Sequence, residues 1–266
     1  MRVPPGKPNA ILRPKAADQA IRVARHPPRP SLEPYVEYFW LVRWNVPAPY
    51  RQQVVPQPRI HAAAEHRRLL VHGISREPFH RTLDGIGHTL GAAFRPGGLR
   101  PFLNASVGSI AGTVQPAADL LDADDRPVAA RILDGDDDAD MVRAFEDYLD
   151  GLCPEPDPRV DDVASWVAAA ESDTSLMRAS ALADLVGVSL RTLQRLFTEY
   201  VGIGPKWVIQ RYRILDAVAA AHEGAELDLA GLAGRLGFSD QAHFTRVFTD
   251  VVGTPPAAYA RDARTR

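Results

Sequence analysis

The stretch Ser189-Leu190-Arg191-Thr192-Leu193-Gln194-Arg195-Leu196-Phe197-Thr198 has a counterpart later in the chain, Ser239-Asp240-Gln241-Ala242-His243-Phe244-Thr245-Arg246-Val247-Phe248-Thr249. Leu182-Ala183, Gly187 and Ser189 return fifty residues on as Leu232-Ala233, Gly237 and Ser239. Arg195, Phe197-Thr198, Val201-Gly202 and Pro205 return fifty-one residues on as Arg246, Phe248-Thr249, Val252-Gly253 and Pro256. A short helix, a glycine turn and a second helix, written twice, is the pattern of paired helix-turn-helix units, which set two helices into DNA major grooves.

Each copy divides into faces. In the first, Leu182, Leu185 and Val186 form an apolar stripe, Gly187 turns the chain, and Ser189 stands at an N-cap position. Leu193, Leu196, Phe197, Tyr200 and Val201 are predicted to be buried, with Arg191, Gln194, Arg195 and Thr198 opposite them at helical spacing. Arginine pairs with guanine and glutamine with adenine through two hydrogen bonds each, so this outer face can read bases. In the second copy Asp228 caps a helix with the stripe Leu229, Leu232, Ala233 and Leu236; Gly237 turns and Ser239 caps again, with Asp240 close by. Phe244, Val247, Phe248 and Val251 point inward, leaving Ala242, Thr245, Arg246 and Thr249 outward, with Gln241 and His243 flanking. One extra residue separates Ser239 from Phe244, compared with Ser189 and Leu193.

Between the copies Pro205 opens a long helix that His222-Glu223-Gly224 closes. Its length, about 25 Å, suits a strut between groove segments spaced about 34 Å apart. Ser189, Ser239 and Lys206 are candidate phosphate contacts; Lys206, Arg211 and Arg213 on the strut read equally well as solvated surface charge.

The run Leu232-Ala233, Gly237-Phe238-Ser239-Asp240-Gln241, His243-Phe244-Thr245-Arg246-Val247-Phe248, Gly253-Thr254-Pro255-Pro256 and Tyr259 resembles the DNA-binding domain of the AraC/XylS family of bacterial transcription regulators. By motif position the resemblance implies base contacts from Arg191, Gln194 and Arg195, and from Gln241, Ala242, Thr245 and Arg246; Thr198 and His243 complete the candidate surface. It implies double-stranded DNA as partner, a homodimer, RNA polymerase as a further partner, and activation as the family default. Two departures stand out. Arg178 occupies the position where Asp228 caps the second unit, so the first helix is expected to begin earlier, capped by Ser175; and Ala242 offers only apolar contact, which makes the first unit the better discriminator.

Ahead of the repeat, Val36, Tyr38, Trp40, Val42, Trp44 and Val46 alternate with Glu37, Arg43 and Asn45, the pattern of a half-buried strand. Shorter strand candidates follow at Val54-Val55, Leu69 to His72 and His88 to Phe94, punctuated by Pro56, Pro58, Gly73, Asp84-Gly85 and Pro96-Gly97-Gly98. This suggests a small barrel or sandwich. Phe94-Arg95-Pro96-Gly97-Gly98-Leu99-Arg100-Pro101-Phe102-Leu103, and Val54-Val55-Pro56 before Arg59-Ile60-His61, resemble segments of the family's cupin-like sensor domains. The resemblance implies an unidentified small-molecule effector, for which Tyr38, Trp40, Trp44, Arg59 and His61 are the candidate pocket; a purely structural role fits each equally well.

The net charge of −2 conceals segmentation. Residues 1–118 carry 16 Lys/Arg against 6 Asp/Glu, residues 119–175 carry 4 against 18, and residues 176–266 carry 11 against 9. The acidic stretch is expected to be either a solvated connector or a surface that attracts the basic segment before it. Pro154, Pro156 and Pro158 mark a break. The expected organisation is α+β: a β-rich sensor over 1–118, an acidic helical connector over 119–158, and an all-α domain over 159–266 whose two helix-turn-helix units a long helix joins.

The single cysteine, Cys153, excludes an intrachain disulfide, and the absence of a long apolar run predicts no membrane span and a cytoplasmic protein. His61, His66, His72, His80 and His88 crowd together without metal-ligand spacing, and no nucleotide-binding or hydrolase signature occurs. We therefore expect a non-enzymatic regulator without cofactor or metal. A metal-dependent cupin enzyme with a regulatory tail, and a nonspecific nucleic-acid binder acting through the basic amino-terminal segment, are the alternatives.

Overall fold

In the computed structural model the described residues are 21–54, 57–77, 79–222, 231, 233–234, 237–238 and 240–264. Six strands come first: β1 Ile21–His26, β2 Val36–Val54, β3 His61–Glu65, β4 Arg68–His72, β5 Phe79–Phe94 and β6 Val114–Pro116. They pair antiparallel in the order β1-β2-β5-β3-β4-β6. The expected closed barrel is not formed. The ends β1 and β6 do not pair with each other, and the sheet stays open. Helices supply what closure would have done: α1 Ala117–Leu121, α2 Arg126–Leu133 and α3 Asp138–Gly151 bring an apolar layer onto one sheet face. Phe145 of α3 meets Phe39 with ring centroids 5.5 Å apart.

Register decides which face that is. Leu41 pairs with Leu90 and Phe39 with Ala92, and all four are buried. A bulge between Val36 and Tyr38 inserts one residue, so Val36 and Phe39 both reach the core although they are three apart. The alternation running from Val36 through Trp44 is therefore broken at Glu37. Trp40 and Trp44 lie on the opposite, half-buried face, with their indoles over Gly91 and Gly87.

The acidic segment docks on the basic one. Arg29 bonds Glu146 at 3.0 Å, Asp147 at 2.8 Å and Asp150 at 2.9 Å; Arg43 reaches Asp138 at 2.7 Å, Arg67 reaches Asp134 at 2.7 Å, and Arg68 reaches the fully buried Asp125 at 2.6 Å. Glu146 is itself buried, so Arg29→Ala takes the cation from its carboxylate and leaves it the residue 29 amide, which donates at 2.7 Å. We expect that change to cost about 2–3 kcal/mol in urea unfolding, and the exposed Arg67→Ala far less. Equal losses would mean burial plays no part.

Helix α4 Arg159–Ser172 leads into the repeat: α5 Ala179–Leu185, α6 Leu190–Leu196 continued by a π turn at Phe197–Val201, the strut α7 Pro205–His222, α8 Gln241–Val252 and α9 Pro256–Arg264. One hydrophobic core runs through both halves, from Phe39 and Leu90 to Phe197 and Phe248. Among the described residues no helix is long and apolar enough to cross a membrane.

Candidate nucleic-acid interface

The duplication is preserved in backbone geometry. Gly187 and Gly237, the turn glycines of the two units, both have φ of +71°, a left-handed conformation that L side chains rarely adopt. Leu193, Leu196, Phe197, Tyr200 and Val201 are buried, as are Phe244, Phe248 and Val251, while Val247 is half-buried. The opposite faces are open: Arg191, Gln194, Arg195 and Thr198 in the first unit and Gln241, Ala242 and Arg246 in the second are exposed, and His243 and Thr245 are half-exposed. Ser189 and Lys206 are exposed as well, whereas Ser239 lies outside the described residues. His243 leans its imidazole on the Phe238 ring at 5.4 Å.

Caps refine the repeat. Ser189 accepts from the Thr192 amide at 3.1 Å, as its position predicts. In the second unit the cap is Asp240, which accepts from the His243 amide at 2.7 Å, and not Ser239. Asp240 stands fifty-one residues after Ser189, the same interval that relates Arg195 to Arg246. The extra residue therefore sits in the turn, and the two second helices correspond position by position.

Other expectations are corrected. Helix α5 begins at Ala179 with Arg178 at its N-cap and no side-chain cap, and Ser175 bonds Asp173 instead. Leu185 is 59% exposed and does not join Leu182 in the core. Asp228, Leu229, Leu232 and Leu236 of the second unit lie outside the described residues, as do Val55 and Pro56. On the strut, Arg211 and Arg213 are buried and cannot meet phosphates. The Arg213 guanidinium donates to the carbonyls of Ala170 at 2.5 Å, Asp173 at 3.1 Å and Glu171 at 3.3 Å, closing the carboxyl end of α4. Arg211 donates to the Arg76 carbonyl at 3.1 Å and lies 4.4 Å from the Trp207 ring centroid; burial pulls its guanidinium down to about 10.

Four of the five proposed effector residues come together on the sheet. The Tyr38 ring lies between the guanidiniums of Arg25 and Arg59, at 4.5 and 5.7 Å, and Arg59 pairs with Glu37 at 2.6 Å. Trp40 donates to Nδ1 of His61 at 3.1 Å. Trp44 sits apart, bonded to the Asp84 carbonyl at 3.1 Å and packed near Ile21, Val46 and Leu83. An open polar cleft of about 280 Å³, lined by Arg68, Ala118, Asp122, Ala123, Asp124 and Arg126, includes none of the five. The sequence reading missed Glu37, which alternation placed on the other face, and Tyr212 of α7, whose phenol burial and Glu171 push up and which feels the charges of Arg59 and Glu37. No local signal marks Tyr212, because the strut and sheet meet only in the fold.

Burial, reinforced by Arg59 and His72, pushes the His61 imidazole down from 6.5 to about 3. Folding thus favours the neutral ring, and this stabilisation is complete above about pH 6.5 and erodes as pH falls toward about 3, by up to about 1.4 kcal/mol per unit. Urea unfolding between about pH 4 and about pH 7 should show His61→Gln losing one proton's worth of that slope. An unchanged slope would assign the titration to another group.

A helix-turn-helix domain model matches residues 182–262, and a domain of unknown function, DUF6597, matches residues 24–116. The probable transcription factor PqrA of Proteus vulgaris is 28% identical over 100 residues, which are 38% of this chain and 81% of that protein. A transcriptional regulator of Chromobacterium violaceum with an AraC-type DNA-binding domain shares 22% identity over 39% of this chain and 92% of its own, with a TM-score of 0.35. ToxT of Vibrio cholerae shares 12% identity over 91% of this chain and 97% of its own, with a TM-score of 0.42. The duplicated helix-turn-helix domain of residues 182–262 is thus of the AraC type, the kind found in DNA-binding transcription regulators.

Proposed function

We propose that this regulator reads a specific duplex sequence with the exposed faces of α6 and α8, Arg191, Gln194 and Arg195 on one and Gln241, Thr245 and Arg246 on the other. Ser189 and Lys206 contact flanking phosphates, and Ala242 meets a thymine methyl. One observation carries this reading: two second helices in matching register bury equivalent apolar rows and leave Arg195 and Arg246 exposed at equivalent positions. Residues 1–118 act as the sensor, 119–158 as the connector and 159–266 as the DNA-binding domain. An effector acts at the Tyr38, Trp40, Arg59 and His61 cluster, and the working form is a homodimer that addresses RNA polymerase.

The nonspecific-binder alternative loses ground because Arg29, Arg43, Arg67 and Arg68 are engaged by acidic partners of the same chain. Among the described residues no group of three or more His, Cys, Asp or Glu side chains is arranged to hold a metal. The test is selection of duplexes from a randomised pool by the full chain, followed by binding across a salt series. A shared motif bound with a steep salt dependence supports the reading. Recovery of unrelated sequences with equal affinity overturns it.

A further inference from the structure

We propose that Arg100, in the amino-terminal half, is a positioning residue for base reading: it holds the Glu199 carboxylate and so frees Arg195 for DNA. This rests on the assignment of Arg195 to base contact. One carboxylate serves two arginines. Glu199 Oε2 accepts from Arg195 Nη1 at 3.2 Å, and its Oε1 accepts from Arg100 Nη2 at 3.4 Å.

The two partners are unequal. The Arg195 side chain is 63% exposed, whereas those of Arg100 and Glu199 are 26% and 31% exposed. Water screens the outer pair more than the inner one, so the carboxylate is held chiefly from the inside. Arg100 is itself fixed. Its Nη1 donates to the Leu103 carbonyl at 3.0 Å, and its guanidinium lies 5.9 Å from the ring centroid of Tyr200, whose hydroxyl bonds Asp157 at 2.7 Å. Next to it Ser106 Oγ donates to the Thr198 carbonyl at 3.2 Å, and a Cβ on Gly108 would stand only 2.9 Å from Thr198. The amino-terminal half thus grips the π turn in which the reading helix ends, a kind of turn that recurs at functional sites.

Without Arg100, Glu199 would keep Arg195 as its sole cation among the described residues, and an Arg195 that turned to a base would leave the carboxylate uncompensated beside the groove-facing surface. Both effects oppose DNA, the first by restraining Arg195 and the second by repelling phosphates. Neutralising Glu199 removes both at once, so the two residues are expected to be thermodynamically coupled.

The experiment is a double-mutant cycle on the full chain. Its probe is a fluorescein-labelled duplex selected from a randomised pool by the wild type, with versions altered at the base pair whose preference Arg195→Ala abolishes. Arg100→Gln should weaken binding about tenfold and flatten preference at that base pair, whereas Glu199→Gln should tighten binding about two- to threefold. In the Glu199→Gln background the Arg100 change should cost less than about twofold. An equal Arg100→Gln loss in both backgrounds, or undiminished base preference, would show that Arg100 only packs the two halves together and overturns the proposal. Should Arg100→Gln fail to fold, Glu199→Gln alone decides: weakened binding overturns the proposal and tighter binding supports it. Indifference of the duplex to Arg195→Ala would instead remove the base-contact reading itself, a distinct result.

Discussion

Arg195→Ala combined with Arg246→Ala is expected to remove most of the sequence-specific binding of duplex DNA. Each arginine is exposed at the same position of its unit, fifty-one residues apart, and each can donate twice to one guanine. The loss from either change alone is about 1–3 kcal/mol, and because they sit in separate helices the losses add, giving about two to four orders of magnitude in affinity. Fluorescence anisotropy with a pool-selected duplex measures this. The fold should survive, since neither side chain contributes to the core. Residual binding should depend on salt and only weakly on sequence, because the phosphate contacts and the remaining base-facing residues persist. Wild-type affinity in the double variant would remove both helices from the DNA interface.

Arg213→Met produces the largest expected loss of stability. The side chain is fully buried and ends three carbonyls of the α4 terminus and the turn that follows, with Asp216 at 3.4 Å from its Nε. Methionine fills a similar volume but donates nothing, so three carbonyls lose their charged donor. The expected cost is about 3–5 kcal/mol, a large share of the about 5–15 kcal/mol that holds a typical domain folded. Arg213→Lys should recover only part of it, because one ammonium cannot match a planar donor that reaches several carbonyls at once. Urea unfolding decides the matter: a cost below about 1 kcal/mol for Arg213→Met would mean the carbonyls find other donors.

These two arginines behave oppositely, although both lie on helices with charged residues at helical spacing. Arg195 could be placed correctly from sequence because its own helix supplies the contrast, with Leu193, Leu196 and Phe197 inward and Arg195 outward. Arg213 could not. Its neighbours Tyr212, Ile214 and Leu215 are buried on several sides, so the strut is covered nearly all round and has no solvent stripe to assign. Similarly, Ser189 was legible as a cap, while its counterpart Asp240 lay hidden behind an adjacent serine until the helix start was seen.

The chain by itself determined the tandem units, their turn glycines, their inward apolar rows and their exposed arginines. All of these follow from periodicity and turn chemistry, whose range is a few residues. Tertiary structure alone decided that the sheet stays open under helices α2 and α3, that a bulge at Glu37 exchanges the faces of β2, and that Arg211 and Arg213 are interior. It also brought Arg100 to Glu199, across 99 residues of chain. Each of those outcomes depends on which distant element covers a surface, and no local pattern encodes that.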